Sequence, residues 1–247
     1  GDWPATSNTG GSAFATLRTG VNFQKEKGIL SRHFRFNYSS KANLKGNEGR
    51  EKNMPDACTE KKRSYRISGH ETFPCRYTWL PKAVKGLRDN ATLFSDESDA
   101  MVALGVGKNM VRSIRFWSLA SGIARVESKG RGFSLTRLGN SLLGNRGLDP
   151  FLEDIRTLWR IHWNLSTNIE NPLLAWDYLL NRWQEPELVP SAAIRALQKE
   201  AEKQDCAVSA VTIEQHFDTF IHTYIPTRGR KGDVQEDNLD CPLVELD

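Results

Sequence analysis

Two groups of residues in this sequence have types and spacing that could do chemistry. His70 and Glu71 are adjacent and Arg76 follows shortly after, and an imidazole beside a carboxylate can transfer protons or bind a metal ion. The second group combines cations with one amide, side chains that contact phosphates and base edges in DNA. Its members are Lys108, Asn109, Arg112, Arg115, Lys129 and Arg131. The first group points to catalysis and the second to nucleic-acid binding.

The His70-Glu71 pair lacks the partner that a metalloprotease would need. A zinc-protease motif requires a second histidine one helical turn later, and the sequence supplies none. Pro74 also interrupts any helix at this point. The alternative is a structural hydrogen-bonding unit. His70, Glu71 and Arg76 stay as the candidate catalytic residues of an enzyme hypothesis that ranks behind the binding hypotheses, and no metal site is predicted.

The cations of the second group lie in a predicted helix, tight turn, second helix and hairpin. Ser95 is the expected cap of the first helix, and Gly105 and Gly107 permit the positive backbone angles of a sharp turn. The second helix follows directly. Residues 123–127 and 133–135 then form the two strands of the hairpin, whose tip is rich in glycine and basic residues. This order is typical of a winged helix-turn-helix.

The second helix is amphipathic. Four residues at spacings of four, three and four are predicted to face the core: Met110, Ile114, Trp117 and Ser121. Lys108, Arg112 and Arg115 fall on the opposite face. Glu127 is the only acidic residue between positions 105 and 146, although the whole chain has a net charge of only +4. This local positive charge predicts contact with duplex DNA, with the hairpin tip near the phosphates; the alternative is a solvated face of a helical core.

Composition limits the remaining function classes. No apolar run reaches membrane-spanning length and no signal peptide is visible at the start, so no membrane contact is predicted. The four cysteines form no C-x-x-C pair, which argues against a zinc or redox motif and favours a cytoplasmic protein. The Gly-Val-Gly-Lys sequence before Asn109 lacks the other residues of a Walker motif, so no cofactor is predicted.

The predicted fold class is mainly α with a small β-hairpin, a winged helix-turn-helix followed by a helical domain. Residues 1–63 are expected to be a disordered or non-native N-terminal extension, because they lack periodicity and the first methionine is Met54. Residues 64–148 form the predicted winged helix-turn-helix domain. Residues 149–247 form the helical domain, which we expect to be truncated at its C-terminus.

Tryptophans recur in the predicted helical domain. Asp149 is the expected cap of its first helix. A stripe of four tryptophans is predicted to be core, and the alternative is a platform on which bases stack. They are Trp159, Trp163, Trp176 and Trp183.

Several stretches of the chain resemble a bacterial family of uncharacterised function. The main ones are GHETFP at residues 69–74 and LGVGKNMV at residues 104–111. The resemblance covers about residues 65–246. It implies a genomic context beside genes similar to phosphoadenosine phosphosulfate reductases, including DNA phosphorothioation and phage-defence clusters. It carries over no catalytic residues.

These observations lead to two main hypotheses. The first is a DNA-binding accessory or regulatory protein of a bacterial DNA-modification or phage-defence system, with duplex DNA as its partner. The second is an adaptor that docks a phosphoadenosine phosphosulfate reductase-like, sulfur-transfer enzyme through the tryptophan-rich helices without touching DNA. The enzyme hypothesis is the third.

Overall fold

The computed structural model describes residues 63–127, 132–226 and 241–246; the predicted N-terminal extension, apart from Arg63, lies outside them. The elements in chain order are helices α1 (Trp79–Asp89), α2 (Glu97–Leu104) and α3 (Lys108–Ala120), strands β1 (Ala124–Val126) and β2 (Phe133–Leu135), helices α4 (Arg137–Leu143), α5 (Ile155–Thr167), α6 (Leu174–Asn181), α7 (Pro190–Lys203) and α8 (Ala210–Tyr224), and a 3-10 helix (Pro242–Glu245). The predicted mainly α fold with a small hairpin is confirmed, and the winged helix-turn-helix assignment stays a prediction. No helix in these ranges is long and apolar enough to cross a bilayer.

Helix α1 lies at the centre of the first half because one of its faces is apolar throughout. Trp79, Leu80, Ala83, Val84 and Leu87 recur at helical spacing and are all buried. Through this face α1 contacts α2, α3, α4 and β2. Helix α3, which carries four of the predicted site residues, and strand β2 of the hairpin therefore rest on a common support.

The turn between α2 and α3 is fixed by caps. The carboxylate of Asp96 accepts hydrogen bonds from the backbone N–H groups two and three residues later, at 2.8 and 3.0 Å. Asp96 rather than Ser95 is therefore the N-cap; both residue types can cap, and only the geometry separates neighbours. Gly105 ends α2 with φ of +64°, as predicted, whereas Gly107 has φ of −71°, which any residue adopts.

Strands β1 and β2 confirm the predicted hairpin. They pair antiparallel, with Val126 opposite Phe133. The tip between them, including Lys129 and Arg131, lies outside the described residues. The structure therefore positions the base of the hairpin and not its basic tip.

Thr136 and Gly139 hold the start of α4 against the chain between α3 and β1. The Thr136 hydroxyl donates to the carbonyl of Gly122 at 2.6 Å and accepts from the N–H of Gly139 at 3.0 Å. A Cβ atom on Gly139 would lie 2.2 Å from the carbonyl oxygen of Ile123. Only glycine fits this approach, which locks α4 against the end of α3.

Helix α5 begins later than predicted. It is capped by Asp154, whose carboxylate accepts from the N–H of Arg156 at 2.8 Å, and not by Asp149. Asp149 instead accepts from the N–H groups of Glu153 and Asp154, at 2.9 and 3.0 Å, and stabilises the turn before the helix. Two aspartates precede the same apolar segment, so local propensity alone does not select between them.

The four tryptophans do not form one buried stripe, so that prediction is wrong. Trp176 is fully buried and Trp183 is half-buried, but Trp159 and Trp163 on α5 are 45% and 53% exposed. The core-facing side of α5 consists of Leu158, Ile161 and Leu165. The apolar side of α5 is wider than the surface that the other helices cover, so packing decides which part of that side is buried.

The two halves of the described chain are joined by backbone pairing and by a shared core. The N–H of Arg66 donates to the carbonyl of Pro172 at 2.9 Å, and its carbonyl accepts from the N–H of Leu174 at 3.4 Å. Trp117 on α3 and Trp176 on α6 meet edge to face, 5.7 Å between ring centroids, in one hydrophobic cluster. The predicted division into two domains stays a prediction.

Candidate nucleic-acid interface

Helix α3 exposes most of the polar residues that the sequence assigns to its outer face. Lys108, Asn109 and Arg115 are exposed and Arg112 is half-buried. The opposite face is buried as its spacing predicts, apart from the half-buried Met110. The structure therefore holds α3 by one side and leaves its polar side accessible.

Glu97 neutralises part of this charge. Its carboxylate accepts from Nε of Arg112 at 2.6 Å and from Nζ of Lys108 at 3.1 Å. The hydrogen bond from Arg112, followed by that from Lys108, lowers the pKa of Glu97 to about 2. Glu97 precedes both cations by more than ten residues, and the α2–α3 turn brings it to them. Sequence reasoning counted charge only after the turn and missed this pairing.

A cleft of about 350 Å³ opens between the segment 66–69, helix α3 and the hairpin. We call it the Arg66 cleft. Arg66, Arg112 and Arg115 line it together with apolar side chains of α3 and the hairpin, among them Phe116 and Phe133. The cleft thus combines converging guanidinium groups with aromatic walls, next to the exposed side of α3.

Arg66 is the functional candidate that sequence reasoning did not find. Its guanidinium lies over the ring of Phe116, 5.3 Å from the centroid. Burial, followed by the charge of Arg115, lowers the pKa of Arg66. None of the ion pairs between described residues includes Arg66 or Arg115. The available signal was alternation, since Tyr65 and Ile67 are buried on either side of it.

The chain beside the cleft adopts an unusual backbone. Gly69 has φ of +101°, and Glu71 and Thr72 have φ of +50° and +62°. A Cβ on Gly69 would lie 3.2 Å from Cδ2 of Phe116. Positive φ at two successive residues other than glycine costs free energy, so surrounding contacts must hold this turn.

His70 supplies those contacts. Its ring is only 3% exposed, and its Nε2 lies 3.1 Å from Nδ1 of the fully buried His216. The backbone N of Thr72 lies 3.1 Å from Nδ1 of His70, and the N–H of Ala175 donates to Nε2 of His216 at the same distance. The pair therefore ties the turn to α6 and α8.

The surroundings of the His70–His216 pair oppose its protonation. Burial lowers the pKa of His70 to about 4, and burial together with the neighbouring ring lowers that of His216 to about 3. Nδ1 of His70 also lies 3.2 Å from Oγ1 of Thr219, whose hydroxyl donates to the carbonyl of Gln215, so Oγ1 can accept the ring proton of His70. Nε2 of His70 can then accept from Nδ1 of His216, whose Nε2 accepts from the N–H of Ala175, and both rings are satisfied when neutral. A further proton would face another donor.

The candidate catalytic residues do not meet in an open acid–base site. His70 is enclosed, Glu71 is half-buried, and Arg76 lies over the rings of Phe73 and Trp79, 5.7 and 5.4 Å from their centroids. The part of the chain that the structure describes holds no group of three or more potential metal ligands. This geometry favours the structural interpretation of His70.

A second surface lies on α5 and the turn before it. Phe151, Ile155, Trp159 and Trp163 form an exposed apolar row, with Phe151 70% exposed. Exposed aromatic clusters of this kind mark protein contacts in other proteins. We call this row the α5 apolar face.

The sequence matches the family described as "Protein of unknown function (DUF4007)" over residues 67–247, more than half of the chain. The chain belongs to this family. The comparison with curated proteins gave no match.

The fold is similar to that of solved structures described as "SspB crystal structure" and "Magnesium ion-bound SspB crystal structure". Each has 28% sequence identity and a TM-score of 0.65 with this chain. The match to the first covers 75% of this chain and 57% of that chain, and the match to the magnesium-bound structure covers 74% and 56%. The chain thus spans a little more than half the length of these related structures.

Proposed function

We propose that this protein is a DNA-binding accessory or regulatory protein of a bacterial DNA-modification or phage-defence system. Residues 64–148 would act as its winged helix-turn-helix. The observation that carries the proposal is the Arg66 cleft, where Arg66 and Arg115 face solvent-accessible space without a carboxylate partner among the described residues. Uncompensated cations beside an exposed helix suit a polyanion.

The order of elements supports this assignment. Helices α2 and α3 are joined by a tight turn, and α3 packs by its apolar face while Lys108, Asn109 and Arg115 stay exposed. In a helix-turn-helix the second helix enters the major groove and its first residues contact base edges. Lys108 and Asn109 occupy that position on α3 and are the proposed base contacts, and Arg112 and Arg115 follow along the same side. The tip residues Lys129 and Arg131 are proposed phosphate contacts.

The family context supports the same proposal. The resemblance implies a neighbourhood of DNA phosphorothioation and phage-defence genes, and a protein acting there would meet duplex DNA. The similarity to the SspB structures is consistent with a shared fold and leaves the ligand to experiment.

The experiment measures duplex DNA affinity by fluorescence anisotropy at several salt concentrations. Arg112→Ala combined with Arg115→Ala should weaken binding and reduce the slope of log Kobs against log salt by about 2. Arg195→Ala with Lys199→Ala removes two exposed charges from α7 and is the matched control. Equal affinity of the α3 double variant and the wild type would end the proposal.

A second candidate function is favoured by the α5 apolar face. Trp159 and Trp163 are exposed, so an adaptor could dock a sulfur-transfer enzyme through them. Trp159→Ala with Trp163→Ala should abolish co-purification with the phosphoadenosine phosphosulfate reductase-like protein and leave DNA affinity unchanged. Trp176→Ala is unsuitable for this test because Trp176 is buried in the core.

A further inference from the structure

We propose that the Arg66 cleft is a binding site for one phosphate group, held between the guanidinium groups of Arg66 and Arg115. The source of that phosphate, a backbone phosphodiester of duplex DNA, rests on the proposed function. The chemistry of the cleft is independent of it and can be tested without DNA.

The charge of the cleft is the first argument. Three arginines line it, but Glu97 pairs with Arg112 alone among them. Arg66 and Arg115 thus place like charges near each other and have no ion-pair partner among the described residues. Such an arrangement lowers the stability of the free protein, and an anion between the two groups would reverse that effect.

The fixed position of Arg66 is the second argument. Its backbone N–H donates to the carbonyl of Pro172 at 2.9 Å, and its carbonyl accepts from the N–H of Leu174, the first residue of α6, at 3.4 Å. Its guanidinium rests on the ring of Phe116, which is itself buried. Both ends of the residue are therefore held before any ligand arrives, and this preorganisation lowers the cost of binding.

The positions of the donors suit a phosphate group. Each guanidinium offers planar, paired N–H donors, and two guanidiniums that come from different elements can each bind one of the two non-bridging oxygens of a phosphodiester. Arg66 comes from the segment before α1 and Arg115 from α3. The aromatic walls formed by Phe116 and Phe133 can contact the sugar attached to such a group.

The first test compares Arg66→Gln with the wild type in the DNA titration. We expect binding weaker by about tenfold and a salt slope reduced by about 1, the effect of one lost phosphate contact. Arg66→Lys keeps the charge and should restore the slope but only part of the affinity. Arg195→Gln, an exposed arginine on α7, is the control and should bind as the wild type does.

A duplex scanned with single methylphosphonate linkages locates the contact. The wild type should lose affinity when one particular phosphate becomes neutral, and Arg66→Gln should be insensitive at that position. Tight DNA binding by Arg66→Gln, with the wild-type slope and the wild-type scan, would overturn the inference and leave the proposed function intact.

A titration with inorganic phosphate, followed by phosphorus NMR or calorimetry, separates the two proposals. If the wild type binds no DNA, the proposed function fails, and saturable phosphate binding that Arg66→Gln abolishes would still support the cleft. If the wild type binds neither DNA nor phosphate, the inference is overturned. Displacement of the bound phosphate by poly-glutamate at equal charge concentration would also overturn it.

The unfolding midpoint of Arg66→Gln separates a binding role from a structural one. Removing one of two like charges should leave the midpoint unchanged or raise it, while phosphate binding is lost. A lowered midpoint would indicate a structural role for Arg66. Arg115→Gln, at an exposed position, then gives the same binding test in a folded protein, and unchanged binding there overturns the inference.

Discussion

Arginines occur in two contrasting surroundings in this protein. Arg182 donates to Asp177 at 2.9 Å and to Glu200 at 3.0 Å, in a cluster that also includes Arg63. We call this cluster the Asp177 network. Arg66, by contrast, lies over an aromatic ring and forms no ion pair with a described carboxylate. Both arginines are partly buried, so burial alone does not distinguish a structural cation from one that is available to a ligand. The presence of a carboxylate does.

The Asp177 network has a clear structural task. Its cations reach Asp177 from the segment before α1 and from the end of α6, and the hydroxyl of Tyr65 donates to the same carboxylate at 2.9 Å. Burial and this hydrogen bond raise the pKa of Tyr65, which therefore stays a neutral donor. The network fastens the start of the described chain to its second half.

The largest expected effect is the loss of Asp177. Asp177→Ala leaves two guanidinium groups and a phenol without their shared acceptor and should lower the free energy of unfolding by about 3–5 kcal/mol. Urea unfolding measures it. Arg156→Ala, which breaks the exposed pair with Asp154, should keep the wild-type midpoint. A stable Asp177→Ala protein would remove the distinction between the two surroundings.

The His70–His216 pair differs from both arginine surroundings because it is stable only when its two rings are uncharged. The pKa values of both histidines lie below their ordinary value near 6.5. Below pH 6.5 these histidines therefore bind protons in the unfolded chain while they stay neutral in the folded chain. The free energy of unfolding should therefore fall as the pH decreases from about 6.5 to about 4. His70 alone accounts for about 3 kcal/mol at the lower end.

Urea midpoints between pH 7.5 and pH 4.5 check this dependence. His222→Gln, an exposed histidine on the same helix as His216, should retain it. Glu97, with its pKa of about 2, loses its contribution only below its ordinary range near pH 4.5, so the two effects occupy different windows. A flat profile above pH 4.5 would contradict the buried neutral pair.

A carboxylate introduced into the Arg66 cleft should make its arginines resemble those of the Asp177 network, which are paired with a carboxylate. Ser68 is exposed and lines the cleft, so Ser68→Asp places a negative charge near Arg66 and Arg115. DNA affinity should fall by about tenfold, roughly the loss of one charge contact, while the unfolding midpoint holds or rises. Ser68→Asn is the control, because its side chain has nearly the same shape as that of aspartate but carries no charge. If both variants bind DNA equally, the charge of the cleft does not matter.

The smallest expected effect runs in the opposite direction. Glu97→Gln removes the carboxylate from Arg112 and Lys108 and should strengthen DNA binding by a fewfold at low salt. Glu97 and Arg112 are half-buried but solvent reaches both side chains, so the unfolding midpoint should stay close to that of the wild type. Asp99→Asn, on the same helix and without an ion pair to α3, is the control. Weaker binding by Glu97→Gln would mean that Glu97 orients Arg112 for DNA.

Features set by local chemistry could be predicted from the sequence. The buried side of α3 follows from spacings of three and four, and the hairpin follows from two short apolar runs around a glycine-rich tip. The exact helix starts could not be predicted where two nearby residues can each act as the cap. Ser95 and Asp96 compete in this way at α2, and Asp149 and Asp154 at α5.

Features that depend on distant parts of the chain could not be predicted. Arg66 meets Arg115 and Phe116 only because the segment before α1 returns along α3, and no periodicity links positions so far apart. The exposure of Trp159 and Trp163 is likewise decided by which side of α5 the other helices cover. Local patterns specify what each element can bury, and packing selects among the options.

The backbone of Arg66 adds a mechanical consequence. Arg66 lines the cleft with its side chain, and its main chain forms two hydrogen bonds, one to Pro172 and one to Leu174. A shift of these contacts at the start of α6 would therefore move Arg66 and its guanidinium with it. Arg66 is thus a direct structural link between the exposed charges and the tryptophan-rich half of the molecule.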